Sequence, residues 1–456
     1  MTKVIKKSAV ARWLVLIIVS LTMMMGYVVA KEMSPLQYLL ELPESLGGMG
    51  WSSTEFGLFA GSRGFFNVFF LMLFFGGVIL DKMGVRFTGV LSCALMVVGT
   101  AINYYALQFI APHGTGLALP ASGFTIKEQV LVAALGFAVF GIGYEMCGIT
   151  VSKVIVKWFT GGEMALAMGL QVSLARLGTA LALSLSPVVA QKYSVSTPVL
   201  VGLVCVVLGL LIYVVYCVMD ARRDRALAGD ASAVAVAASD EGFHLRDLGS
   251  VVKNPGFVLI TMLCLLYYSA LYPFLDFATK LMITKYGVEP QFAGHIPAIL
   301  PFGSIILTPL FGALYDHHGH GAWFMIVGTV MLTAVLVVFA LPLGSSALAV
   351  VLMVVLGVAF SLLPAALWPS VPRIVPMKLL GSAYAIIYYI QNIGLMLTPL
   401  LIGHILDAHR TADTVDYNPA MWVFVAMGAT AIVVAVLLLR ADHRHNYGLE
   451  KPSMES

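Results

Sequence analysis

Twelve apolar stretches, each long enough to cross a bilayer as a helix, divide the chain near residues 12–32, 54–80, 86–110, 128–153, 164–190, 197–219, 255–280, 291–315, 321–342, 345–371, 379–407 and 419–440. A hydrocarbon core of roughly 30 Å is crossed by about 20 helical residues. Inside lipid a helix satisfies its backbone hydrogen bonds within its own segment, which leaves few other folds open to this pattern. The expectation is an all-α membrane protein with twelve transmembrane helices. Charged residues make up 11% of the chain, against about 25% in soluble domains, so a soluble fold is excluded and no nucleic-acid partner is expected.

The longest polar interruption, residues 220–254, carries Arg222, Arg223, Arg225 and Asp230 ahead of an Ala-rich stretch. It reads as a cytoplasmic linker, 221–254, between an N-terminal six-helix bundle, 1–220, and a C-terminal six-helix bundle with its tail, 255–456. Most of the 26 Lys and Arg fall in the chain ends and in the loops on their side, which places both termini in the cytoplasm by the excess of positive charge inside. The first apolar segment follows Lys3, Lys6, Lys7 and Arg12 without a small-residue cleavage site, so it reads as a span and not as a removed signal. Cys93, Cys147, Cys205, Cys217 and Cys264 lie in apolar spans without metal-ligand spacing and read as small packing residues. No metal, cofactor or disulfide is expected, and no nucleophile or paired-carboxylate motif of an enzyme lies within the spans.

One short signature occurs twice: Gly77, Asp81 and Gly84 in the first half, Gly312, Asp316 and Gly319 in the second, 235 residues apart. Repetition at this scale points to two similar halves, the architecture of secondary transporters. Gly77 is expected to permit close helix approach. Asp81 is expected to end its helix against a neighbouring helix N-terminus, and Gly84 to make a turn with positive φ ahead of Arg86. The competing reading, an ordinary solvated turn, loses ground because the spacing recurs. In the second copy His317, His318 and His320 stand at the positions of Lys82, Met83 and Val85 in the first. A weaker echo offset by 216 residues, Ala167, Arg176 and Gly178 against Ala383, Asn392 and Gly394, makes spans 5 and 11 counterparts.

Ionisable groups at mid-membrane cost roughly 2.5–3.5 kcal/mol each even on lenient scales, so those present are functional candidates. Glu145 and Arg176 lie 15 to 16 residues on either side of the turn near Thr160 and Gly161. A rise of about 1.5 Å per residue from a shared turn brings an acid and a base to nearly the same depth. One reading is a buried ion pair that fixes the packing of spans 4 and 5. In another the two groups open around a zwitterionic or anionic solute, Glu145 facing an amine and Arg176 clamping a carboxylate with its planar fork. In a third, Glu145 carries a proton. Arg63 and Asn67 extend the polar cavity or make a helix contact. Asp276 and Lys280 read as an intrahelical pair, and Lys31 and Glu32 as side chains snorkelling from the end of span 1. Tyr267 and Tyr268 before Pro273, Trp368, and Tyr388 before Gln391 and Asn392 put polar groups beside helix-weakening residues, where cavities are lined.

The loop signature resembles that of the major facilitator superfamily. Phe140 through Glu145, Lys157-Trp158-Phe159, Gly169 through Gly178, Tyr267-Tyr268 through Pro273, Ala366 through Pro369 and Gly381 through Gly394 resemble the lysosomal dipeptide transporters of that superfamily over nearly the whole chain. The resemblance implies the two-bundle superfamily fold and assigns the charged ends of a dipeptide to Glu145 and Arg176. It implies supporting substrate contacts from Arg63, Tyr267, Tyr268, Trp368, Tyr388, Gln391 and Asn392, and a gating role for the loops at Gly77, Asp81, Gly84 and Arg86 and at Gly312, Asp316 and Gly319. The lysosomal members carry an acidic dileucine signal and an accessory subunit, and neither tail here has that signal. The expectation is therefore a monomeric carrier in a bacterial plasma (inner) membrane, secondary active or facilitative, with a dipeptide as substrate and protons as a candidate co-substrate. The alternative is a carboxylate or organic-anion carrier that uses Arg176 alone.

Overall fold

The computed structural model describes residues 2–112, 116–119, 124–159, 163–228, 251–376, 379–411 and 414–452. Most of the linker and the turn at Thr160 and Gly161 lie outside the described residues. Among the described residues, eleven helices are long and apolar enough to span a membrane. They supply span 1 (Thr2–Glu32), spans 4 to 6 (Glu128–Trp158, Glu163–Lys192, Thr197–Ala228), spans 7 to 9 (Pro255–Tyr286, His295–His318, Gly321–Ala340) and spans 10 to 12 (Ser346–Ile374, Leu380–Ala408, Asn418–His445). The remaining long helix, Met72–Phe109, holds the end of span 2 and all of span 3.

Span 2 is therefore not the continuous helix its hydropathy suggests. It is built from Ser53–Ser62, Phe65–Phe69 and the start of Met72–Phe109, with Leu71 in the left-handed region (φ 53, ψ 32). That conformation costs a non-glycine residue roughly 1–2 kcal/mol, and a broken backbone at membrane depth is tolerated only where protein or a cavity covers it. The turn into span 3 is made at Gly84 (φ 76, ψ 171), as the signature predicts; only glycine adopts those angles without strain. Its counterpart Gly319 also has positive φ (71), followed by His320 at φ 60.

With an even number of crossings, both chain ends lie on one face, here called the terminal face. Towards the opposite, far face the two halves close on each other. The Ser53–Ser62 segment packs on span 11 and span 5 on span 8. Gly57 and Gly61 lie so close to the backbone carbonyls of Pro399 and Met396 that no Cβ would fit, and Gly403 meets Ser53 in the same way. Small residues are what bring helix backbones into such contact in a bilayer. Gly77, expected to serve that purpose, faces open space, as does Gly312. They lie towards the terminal face, where the halves have separated.

Two further expectations are corrected at the far face. Asp276 and Lys280 do not pair with each other. Asp276 takes the ammonium of Lys31 from span 1 and accepts a hydrogen bond from Ser34 Oγ at 2.6 Å, while Lys280 pairs with Glu41. Lys31 and Glu32 do not snorkel; they are 5% and 1% exposed. Glu41 also takes Arg410, together with hydrogen bonds from Ser53 Oγ at 2.8 Å and Gln37 Nε2 at 2.6 Å. Asp407, from span 11, accepts from the backbone N–H groups of Ser53 and Thr54 at 2.9 and 2.6 Å and so caps the start of span 2 across the boundary between halves. Side chains four apart share one helix face, and on span 7 that face meets the other half, which offers each charge a complementary partner.

Glu32 is the exception to this pairing. Both its carboxyl oxygens are buried without a hydrogen-bond partner, against Gly202 of span 6. A buried polar group left unsatisfied costs about 1–3 kcal/mol. Glu32→Met, nearly the same length and apolar, is expected to raise the unfolding temperature of the detergent-solubilised protein by about 2–4 °C. A lowered unfolding temperature would show that the carboxyl has a stabilising partner.

Candidate substrate cavity

At mid-depth, the halves enclose a cavity of about 680 Å³. Its wall is drawn from span 1 (Tyr27, Lys31), span 2 (Arg63), span 4 (Tyr144, Glu145, Ser152), span 5 (Gln171, Arg176) and, in the second half, Tyr268, Tyr272, Trp368, Tyr384, Tyr388, Gln391 and Asn392. Ser152 and Gln171 carry it towards the terminal face, whereas the Lys31–Asp276 pair closes it towards the far face.

Glu145 and Arg176 both reach this cavity; their equal distance from the shared turn sets the depth, and helix rotation turns both inward. They are not an ion pair. Arg176 Nη1 donates to the Tyr272 hydroxyl at 2.8 Å, and the guanidinium lies 4.3 Å from the centre of the Phe360 ring. None of its nitrogens is buried without a partner, so the rest of its five-donor fork is accessible. Arg63 shares the cavity wall with Glu145 and lies 5.4 Å from the centre of the ring of Tyr144, its neighbour in the chain. The sequence explains this approach: Gly141 lies so close to the Arg63 carbonyl that a Cβ there would collide. In Gly141-Ile142-Gly143 the glycine admits span 2, and span 2 brings the arginine.

The aromatic wall of the second half is held rigidly. Tyr268 stacks on Tyr272 with centroids 5.5 Å apart, Trp368 stacks on Tyr388 at 5.1 Å, and Trp368 Nε1 donates to the Tyr268 hydroxyl at 3.2 Å. Gln391 accepts a weak bond from Cys264, and Asn392 Nδ2 donates to the Tyr388 carbonyl at 2.9 Å. Tyr267 is a correction. It is fully buried, its hydroxyl donates to the Ala359 carbonyl at 2.7 Å, and it does not reach the cavity. Neighbours on a helix point about 100° apart, so only one tyrosine of the pair can face inward. Lys31, Tyr27, Tyr144 and Gln171 are wall residues that sequence reasoning misses. Their signal would have been a polar face continuing through spans 1, 4 and 5.

The repeated loops stand away from the cavity. Asp81 pairs with Lys153 at 2.5 Å and not with a helix N-terminus. Arg86 pairs with Asp224 and, at 3.0 Å, with the buried Asp220, which also takes Lys157 at 2.8 Å and Trp158 Nε1 at 3.0 Å. In the second half Asp316 is exposed, and the turn is anchored by the C-terminal segment. There His320 Nδ1 lies 3.1 Å from the Glu450 carboxylate, which accepts from the Ala322 N–H at 3.0 Å. These contacts brace each half internally.

A helical two-half fold around a central cavity lined by charged and aromatic groups from both halves defines a membrane transporter. The chain belongs to the major facilitator superfamily, whose model matches residues 8–399 and 277–455; it is a multi-pass membrane transporter of small molecules, not an enzyme. Its sequence is similar to the lysosomal dipeptide transporter MFSD1 of Bos taurus, 28% identical over 84% of this chain and 77% of that protein. The Danio rerio MFSD1 is 29% identical over 83% and 77%. Among solved structures, the fold is similar to the nucleoside transporter NupG (TM-score 0.67, 12% identity, 94% of this chain and 99% of that one) and to a point mutant of the peptide transporter POT (TM-score 0.63, 13% identity, 96% and 95%).

Proposed function

We propose that this protein carries dipeptides by alternating access, with Arg176 binding the carboxylate and Glu145 the ammonium of the substrate. The observation that carries the reading is that Arg176 and Glu145 open onto one cavity without neutralising each other. A zwitterion with separated charges then has a partner at each end, and the stacked Tyr268, Tyr272, Trp368 and Tyr388 offer apolar faces to what lies between. The similarity to MFSD1 proteins supports the same substrate class. The closed far face and the separated Gly77 and Gly312 fit a state that exchanges substrate with the terminal side. We take that side as the cytoplasm, in a prokaryotic inner membrane, with the loops at Asp81 and Asp316 joining only when the carrier turns over. The halves in this reading are residues 1–220 and 255–456, acting as a monomer, with proton coupling decided at Glu145.

A carboxylate carrier is the second reading, favoured by a wall in which two arginines, Arg63 and Arg176, accompany one carboxylate, Glu145. Glu145→Gln separates the two. Thermal unfolding in detergent, which rises when a ligand binds the folded state alone, is to be followed with Ala-Ala and with a monocarboxylate of similar size. The variant is expected to lose the dipeptide shift, with affinity weakened at least about tenfold. A carboxylate shift with no dipeptide shift in the unaltered protein would reassign the substrate.

A further inference from the structure

The charges around the cavity do not cancel. Lys31 pairs with Asp276, which leaves two cations, Arg63 on the ring of Tyr144 and Arg176 with the hydroxyl of Tyr272 and the ring of Phe360, sharing the wall with one carboxylate, Glu145. The cavity wall therefore carries one more positive than negative charge among its described residues. A zwitterionic dipeptide adds no net charge. Its carboxylate meets Arg176 and its ammonium meets Glu145, which leaves the Arg63 guanidinium in a low-dielectric site without an anion. Leaving a buried charge uncompensated is costly. A second carboxylate on the ligand removes that cost.

We infer that the preferred ligands are dipeptides with an acidic side chain on the first residue, and that Arg63 is the residue that selects them. This deepens the dipeptide reading and rests on it. The position follows from the wall: Glu145 receives the ammonium, Arg63 lies over Tyr144, the residue next to Glu145, and the side chain nearest the ammonium is that of the first residue. Arg63 is held there by the close passage of span 2 over Gly141 and precedes the break at Leu71, so its place is built into the backbone and does not depend on a free rotamer.

The test compares Asp-Ala with the nearly isosteric Asn-Ala, and Ala-Asp with Ala-Asn, by titration of the purified full-length protein. The unaltered protein is expected to bind Asp-Ala at least about tenfold more tightly than Asn-Ala, the size of a charge-assisted hydrogen bond, with a smaller contrast at the second position. In Arg63→Gln the Asp-Ala to Asn-Ala ratio is expected to fall to within about twofold, and in Arg63→Lys to stay above that, since the charge is kept and only the fork is lost. Equal binding of the first pair by the unaltered protein, a contrast confined to the second position, or a contrast that survives in Arg63→Gln would each overturn the inference while leaving dipeptide transport standing. Failure of all four peptides beside binding of monocarboxylates would overturn both readings. The first comparison needs no variant, so a poorly folding Arg63→Gln does not shield the inference.

Discussion

Arg176→Ala is expected to abolish binding of every dipeptide at every pH. Among the described residues Arg176 has no carboxylate partner, and its orientation is fixed twice over, by Tyr272 and by the Phe360 ring. A fork held this way gives a ligand carboxylate a bidentate partner at little entropic cost. Removing one side of a buried hydrogen-bonded charge pair costs about 3–5 kcal/mol, which is more than a hundredfold in affinity. Because guanidinium stays protonated throughout the accessible range, no change of pH can restore what alanine lacks. Arg176→Lys keeps the charge but not the planar fork and is expected to fall between the two. The measurement is isothermal titration with Ala-Ala and Asp-Ala from pH 5 to 8. Binding within tenfold of the unaltered protein in the alanine variant would remove the clamp from the mechanism.

The second large effect is expected at the far face. Glu41 is a single buried carboxylate that holds Lys280 and Arg410 of the second half and Ser53 of the first. Glu41→Ala leaves Lys280 without an anion and Arg410 with Asp407 alone, at 3.4 Å, a loss of about 3–5 kcal/mol that falls on the closed far face. A shift of that size carries a two-state equilibrium from about 1:99 to near or beyond even. The far face should therefore open. Spin labels at Leu46 and Gln291, exposed on the far sides of the two halves, are expected to move apart in Glu41→Ala and to keep their separation in Asp81→Asn, whose pair with Lys153 lies within one half. An unchanged distance distribution in Glu41→Ala would mean that apolar packing of the Ser53–Ser62 segment on span 11, and not this charge cluster, keeps the far face shut.

Several features of the site are readable from chain order because they depend on length along a helix. The shared depth of Glu145 and Arg176 is one, since it needs only a common turn and the helical rise. The positive φ at Gly84 and Gly319 is another, because the glycine itself carries the conformational freedom. What a helix displays around its circumference is harder to read. In an all-apolar span no polar stripe marks the inward side, so Tyr267 and Tyr268 look equivalent until neighbouring helices fix the rotation. Asp276 and Lys280 illustrate the same limit. Their spacing suits an intrahelical pair, and only the arrival of Lys31 and Glu41 from the other half provides a better one. The break in span 2 is likewise invisible to hydropathy, since Phe65 through Leu71 is as apolar as any helix around it.

Composition, the lengths of the apolar segments and a repeated signature thus determine by themselves a membrane carrier of twelve crossings in two halves, with an acid and a base at one level. The reason is that lipid accepts few backbone structures, so hydrophobic length alone counts the crossings. Which charges meet was decided by the tertiary structure. Arg63 enters the cavity wall over Tyr144 because Gly141 admits span 2, and Glu41 joins the halves because spans 7 and 11 present Lys280 and Arg410 to it. Those partnerships depend on helix rotation and on contacts between residues hundreds of positions apart, where packing and charge neutralisation act together.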